Sequence, residues 1–137
     1  MAKDKSLAIC KYIKQILQEN DDVTALVPAS NISTLSVAEG TEFPYIVIQR
    51  NSISVQYTKD IAANNTVYFT VNIVSNNIDD ALDIAVEVRA ALETFYWHSQ
   101  ENGFRMDPIK LESAYESFDG TEYTEQLDFS CQFNKYN

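Results

Sequence analysis

Apolar residues recur every three or four positions between Ser6 and Asn20. Ile9, Cys10, Ile13, Ile16 and Leu17 fall on one side of a helix, with Lys11, Lys14, Gln15 and Glu19 on the other. Asn20-Asp21-Asp22 ends that helix, and one of the two acids is expected to cap a short turn, Val23 to Val27, which Pro28 stops. Asn31 to Val37 reads as a short edge strand. The period then changes. After the polar turn Glu39 to Glu42, Pro44 opens a strand, where its missing N–H does no harm, and Tyr45 to Arg50 is rich in β-branched residues. The β pattern runs on raggedly from Ser52 to Tyr57. Thr58 to Asn65 is polar and aperiodic, so a loop is expected there. It is long for a hairpin connection, and long loops in compact domains often carry function.

From Thr66 to Val74 the chain alternates, with Val67, Phe69, Val71 and Ile73 on one face and Thr70 and Asn72 on the other. Ser75-Asn76-Asn77 supplies caps for a second helix, about Ile78 to Tyr96. Its apolar stripe is Ala81, Leu82, Ala85, Val88, Ala91, Leu92 and Phe95. Asp79 and Asp80 sit in its first turn, where the helix dipole favours negative charge, and Asp83 and Glu87 extend an acidic outer face. Asn102-Gly103 breaks the chain. The last third is a hairpin around Asp119-Gly120. A two-residue loop would set apolar residues against polar ones. A three-residue loop, Phe118-Asp119-Gly120, pairs Ser117 with Thr121, Tyr115 with Tyr123, Leu111 with Leu127 and Ile109 with Phe129, and is preferred. That register sets Glu116 opposite Glu122 and Lys110 opposite Asp128. Ser113 and Glu125 interrupt the apolar face before the tip, which is expected to project as an exposed finger. The expected fold is therefore α+β: a small antiparallel sheet of about four to five strands on two helices, with a C-terminal β-hairpin, in a single domain over residues 1–137.

Composition narrows the chemistry. With 20 acidic and 10 basic residues among 137, the net charge is −10. Affinity for nucleic acid comes mainly from Lys and Arg neutralising phosphates, so no direct grip on DNA is expected, although DNA could slide past such a surface. No apolar run approaches the roughly 20 residues that span a bilayer, and the first residues lead into an amphipathic helix, so neither a membrane segment nor a signal peptide is expected. Cys10 and Cys131 both fall on apolar faces and are expected to be reduced core residues.

The residues that could carry catalysis have simpler explanations. His98, the only histidine, follows Phe95-Tyr96-Trp97 at a helix end, where capping or packing suits it, and no nucleophile lies at a recognisable spacing. Core packing is the safer reading of Phe95 within that cluster. Asp21-Asp22 and Asp79-Asp80 precede helical segments, where capping accounts for them. The three glycines each mark a turn or break, which leaves none for a phosphate loop. The expectation is no catalytic residue, no metal site, no cofactor and no enzyme activity.

The order of these elements resembles the tail-completion (tail-to-head joining, tail terminator) proteins of long-tailed phages and prophages. The resemblance rests on NDDVTALVPASNI (Asn20 to Ile32), AEGTEFPYIVIQR (Ala38 to Arg50), DDALDIAVEVRAALE (Asp79 to Glu93) and YTEQLDFSCQF (Tyr123 to Phe133), and spans Leu7 to Phe133. Each fragment is common; their joint order and spacing is not. The resemblance implies a structural protein that forms or completes a ring, commonly of six copies, at the neck end of the virion tail after assembly in the host cytoplasm. Its implied partners are itself, the tail-tube protein and the head–tail connector. The implied contact surfaces are the long loop and the sheet edges, which here means Gln56, Tyr57, Lys59, Asp60, Ile61, Asp119 and Gly120. The alternatives are another connector or tail-tube component or, in a different class, a small α+β ligand-binding module or enzyme subunit.

Overall fold

The computed structural model describes residues 6–58, 61–95, 98–99 and 104–135. Among these residues seven strands and three α-helices follow in the order α1 (Ile9–Glu19), α2 (Asp21–Thr24), β1 (Ile32–Thr34), β2 (Tyr45–Thr58), β3 (Ile61–Ser75), α3 (Ile78–Glu93), β4 (His98–Ser99), β5 (Phe104–Met106), β6 (Lys110–Phe118) and β7 (Tyr123–Lys135). The strands form one sheet in the order β1-β2-β3-β7. The far edge of β7 is shared: β6 pairs with its first half, and β5, followed by β4, with its end. The fold is α+β, as expected, but the sheet has seven strands where four to five were expected, with the short strands β4 and β5 added, and the four-residue α2 joins the two longer helices. The edge strand β1 runs parallel to β2, matching Ile32 to Ile46, so the sheet is mixed rather than antiparallel throughout.

Alternation decides which face is buried. Ile46, Ile48, Val67, Phe69, Val71, Ile73, Leu127, Phe129, Cys131 and Phe133 all point to one side and are buried there. Across that face α1 packs on β1 and β2, and α3 on β3 and β7. α1 contributes Ile9, Ile13 and Leu17 to the core. α3 contributes Ala81, Ile84, Ala85, Val88, Ala91 and Leu92. Leu82, expected in that stripe, is exposed and Ile84 is buried instead, since Leu82 lies a full 100° around the helix from Ala81. Phe95 packs against the core as expected, whereas Tyr96, Trp97, Asn102 and Gly103 lie outside the described residues. The caps are asparagines: Asn20, rather than either acid, accepts from the N–H groups of Asp22 and Val23, and Asn77 accepts from those of Asp79 and Asp80.

Of the loop expected from Thr58 to Asn65, the described residues Thr58 and Ile61 to Asn65 are strand instead. β2 and β3 pair continuously from Tyr45 opposite Val74 to Thr58 opposite Ile61, so polar residues extend one long hairpin. Polar side chains do not break a strand whose outer face meets water, and Asn64 and Asn65 also pair with β7. The C-terminal hairpin likewise follows neither register considered above. Phe118 pairs with Tyr123 across a four-residue loop, Glu116 pairs with Glu125, and a bulge at Glu112 restores Leu111 opposite Phe129. Asp119 explains the longer loop: its Oδ1 accepts from the N–H groups of Thr121 and Glu122, while its own N–H donates to the Glu122 carbonyl. Gly120 takes the left-handed conformation there, at φ +98°.

The outer face of the sheet is stitched at one level. Asn51, the extra residue of a β2 bulge, donates to Thr70 Oγ1 at 2.7 Å; Thr70 donates to Asp128 at 2.6 Å; and Ser113, beside the β6 bulge, donates to the other Asp128 oxygen at 3.1 Å. Two bulges on separate strands thus share one polar chain across four strands. Beyond that level β2 and β3 continue as an arm, backed by β7 as far as Asn64 and standing beyond it only at Tyr57, Thr58 and Ile61 to Ala63.

Cys131 is buried, and burial pushes its thiol up to about 12; Cys10 is half-buried, and its thiol is also raised by burial. Since the thiolate is the reactive form, Cys131 is expected to stay unmodified by Ellman's reagent at pH 8 for hours in native protein and to react within minutes in denaturant. Fast native reaction of both thiols would contradict this burial.

Candidate assembly surfaces

Two surfaces stand out, at opposite ends of the sheet. The first is the arm. β1 covers β2 only from Ile46 to Ile48, and among the described residues nothing pairs with the outer edge of β2 beyond Arg50. From Asn51 to Thr58 that edge has no charge, no proline and no glycine. Edge strands in free-standing sheets are usually blunted by one of these, because an open row of N–H and C=O groups recruits other strands. The helix-side face is also incompletely covered here. Ile53 still packs on the core, but Val55 is 38 % and Tyr57 67 % exposed. The arm is anchored at its root: Arg50 Nη1 donates to the Leu7 carbonyl at 2.8 Å, and Asn65 Nδ2 to Ser6 Oγ at 3.0 Å.

Gln56 pairs with Asn64 and Tyr57 with Ala62 on this arm, and the Ile61 backbone closes it opposite Thr58. Lys59 and Asp60 lie outside the described residues. Asp119 and Gly120 sit at the other end, next to Tyr123, which pairs with Ser75. Counting along β3 from Ala62 to Ser75 at about 3.3 Å per residue, the two sets are roughly 40 Å apart. They do not form one site; they are two separate surfaces.

The second surface is the acidic end around that turn. Glu116 and Glu125 face each other directly across β6 and β7, on the helix side of the sheet. Glu125 is only 6 % exposed, and its Oε1 has no hydrogen-bond partner. Burial first, then a hydrogen bond to Glu116 and that neighbour's charge, raise the Glu125 carboxyl to about 7. Tyr45 reaches Glu122 with its hydroxyl at 3.5 Å; burial, then the Glu122 carboxylate, raises its phenol. Asp119, held by the backbone N–H groups of Glu122 and Thr121, lies below its ordinary value. The expected register missed this pair because it set Glu116 against Glu122. The signal was present, since Glu125 occupies an apolar phase of its strand.

The sign of the Glu125 shift fixes a pH dependence. The folded carboxyl keeps its proton to about pH 7, whereas the unfolded chain releases it near 4.5. The stability this proton supplies is complete below about pH 4.5 and is lost as pH rises through about 7. Glu125→Gln is therefore expected to melt about 4 °C higher than the parent at pH 8, with the gap closing toward pH 5, in thermal melts across that range. A gap that does not vary with pH would contradict the assignment.

The profile of a family described as "Tail completion protein gp17" matches residues 11–128. Among curated proteins no sequence matches. The fold is similar to a chain of a solved structure titled "Virion of native gene transfer agent (GTA) particle", with a TM-score of 0.73 at 16 % identity, over 89 % of this chain and 91 % of that one. It is also similar to that of the gp17 protein of bacteriophage SPP1, with a TM-score of 0.55 at 24 % identity, over 98 % and 94 % of the two chains. With more than four-fifths of the sequence inside the family profile, and the fold shared with its namesake, this chain belongs to the gp17 family of phage tail completion proteins.

Proposed function

We propose that this protein completes the tail of a long-tailed phage or prophage as a ring of about six copies at the neck, between tail tube and head connector. The observation that carries the reading is the uncharged edge of β2 from Asn51 to Thr58, which no strand among the described residues covers and which is a ready template for a strand from another copy. A contact in which this edge meets a different surface of the next copy is heterologous, and such contacts close into rings when the rotation permits. The arm and the Asp119-Gly120 turn lie at opposite ends of the sheet, as two different patches of one subunit must. The family membership and the resemblance to a chain of a virion structure support the same reading. The net charge of −10 suits a passage that DNA crosses without sticking.

A ligand-binding reading has less support. The hollow formed by Tyr12, Gln15, Ile16, Glu19, Phe95 and Met106 holds about 190 Å³ and is open to solvent. Small-molecule sites run from about 300 to 1,000 Å³. The test of the assembly reading is absolute mass by light scattering across a concentration range, with negative-stain images, repeated in the presence of purified tails that lack a terminator. Closed rings, alone or on tail ends, are expected. A strict monomer that leaves tail ends bare would overturn it.

A further inference from the structure

The acidic end carries a feature that a solvated charged surface does not require. A hollow of about 260 Å³ opens there, walled by Ile78, Phe118 and Tyr123 with Glu116 and Ser117. The Phe118 and Tyr123 rings stack with centroids 4.4 Å apart, yet Phe118 remains 55 % exposed. Glu125 lies directly opposite Glu116, buried and with its Oε1 unpartnered. Asp79, Asp119 and Glu122 add further negative charge around this end. Acids in water cost nothing to leave unpaired; a buried carboxylate oxygen with no donor does cost, and it calls for one.

This chain does not provide that donor among its described residues. Arg50 sits at the level of Phe69 and is bound to the Leu7 carbonyl, Arg89 pairs with Glu93 at 3.1 Å, Lys110 is opposite Ser130, and Arg105 and Lys135 occupy the far end of the β5–β7 pair. Lys11 and Lys14 belong to the first turns of α1, whose preceding residues Ser6 and Leu7 bond to the arm.

We propose that this hollow seats an arginine side chain from a neighbouring virion protein, with its stem against Ile78 and the Phe118–Tyr123 rings and its guanidinium bridging Glu116 and the unpartnered oxygen of Glu125 directly opposite. The choice of arginine follows from the walls. A guanidinium is planar, stacks on aromatic faces and bridges two carboxylate oxygens, whereas an ammonium is a compact, strongly hydrated charge. The proposal rests on the assembly reading only for the identity of the neighbour as a virion protein.

Cation binding should also draw the proton from Glu125. The groups nearest it along the sheet are Glu116 on β6 and Ile73 on β3, with Asp119 and Glu122 in the adjoining turn and Asp79 next to Ile78 in the first turn of α3, none of which supplies positive charge; Asp80 and Asp83 face the separate hollow beside Leu26 and Pro44. Binding is therefore expected to tighten about tenfold between pH 6 and pH 8. The test is an NMR amide-shift titration with acetyl-Arg-Arg-amide, compared with acetyl-Lys-Lys-amide. Saturating shifts confined to Ile78, Glu116 to Phe118 and Tyr123 to Glu125 are expected, stronger for the arginine peptide and weakened at least tenfold by Glu116→Gln or Phe118→Ala. Shifts spread over the whole acidic surface, equal for both peptides and indifferent to Glu116→Gln or pH, would overturn the proposal. The two readings fail separately: a chain that stays monomeric but binds the arginine peptide keeps this site and loses the ring, and a ring that ignores the peptide does the reverse.

Discussion

Val55→Lys is expected to abolish assembly while leaving the monomer folded. Val55 sits on the arm opposite Asn65, on the uncharged stretch of β2 whose outer edge has no partner among the described residues. At 38 % exposure, a lysine placed there can send its ammonium to solvent along its own stem, so the melting temperature should move by no more than about 3 °C. Once a second strand is added to that edge, the same ammonium is trapped beside paired backbone. Inward-pointing charge of this kind is how natural edge strands refuse partners. A loss of at least roughly a hundredfold in association is expected, equivalent to about 2.7 kcal/mol. It would be read by light scattering and by the titre of a terminator-deficient phage complemented in trans. Ser54→Thr, which keeps the strand and adds no charge, should assemble as the parent does. If Val55→Lys forms rings and restores titre, the β2 edge is not the subunit contact.

Both surfaces were partly legible in the chain, for different reasons. Periodicity located α1, α3, the Pro-led strand and the buried face of β3, because each has a repeat long enough to outweigh its exceptions. It failed at Thr58 to Asn65. A strand covered on only one side, and barely there, imposes no apolar alternation, so the arm's end looked like a loop. The hairpin register failed on local chemistry. The Asp119 side chain caps a four-residue turn, and the bulge at Glu112 then shifts β6 by one residue to bring Leu111 back over Phe129. Matching apolar residues in an unbulged ladder cannot find that solution, because the bulge removes the constraint used to solve it. The same slip concealed the Glu116–Glu125 pair. The parallel strand β1 is set by where the residues 35–44 return the chain, which three residues of strand cannot announce. The family resemblance thus pointed to Gln56 to Asn65 as a contact loop; that this segment ends an edge strand came only from the pairing.

The complementary experiment is Phe129→Ala, which is expected to cost the fold and spare the contact. Phe129 is 1 % exposed and stacks on fully buried Phe69 at 5.4 Å, directly across β7 and β3, with Leu111 on its other side. Truncating a buried phenylalanine costs about 3–5 kcal/mol, the sum of lost transfer energy and the cavity left behind. The cavity here should close poorly. On the opposite face, one residue away, the Asn51–Thr70–Asp128–Ser113 chain pins β2, β3, β7 and β6 at fixed spacing, so the strands cannot draw together over the gap. A melting temperature lower by roughly 10–15 °C is expected, a large share of a stability that is typically 5–15 kcal/mol. Phe69→Ala should do much the same, and the double variant should fall short of the sum by about 1 kcal/mol, the part that belongs to the stacked pair. Phe129 lies between the two bulges, at the level of Arg50 and Phe69, and the uncovered edge of β2 begins only past that level, so Phe129→Ala protein kept well below its melting point should still assemble. Val55→Lys stable but solitary, and Phe129→Ala fragile but assembling, would together separate the core that holds this fold from the edge that uses it. Loss of both properties in either variant would mean that core and arm form one cooperative unit.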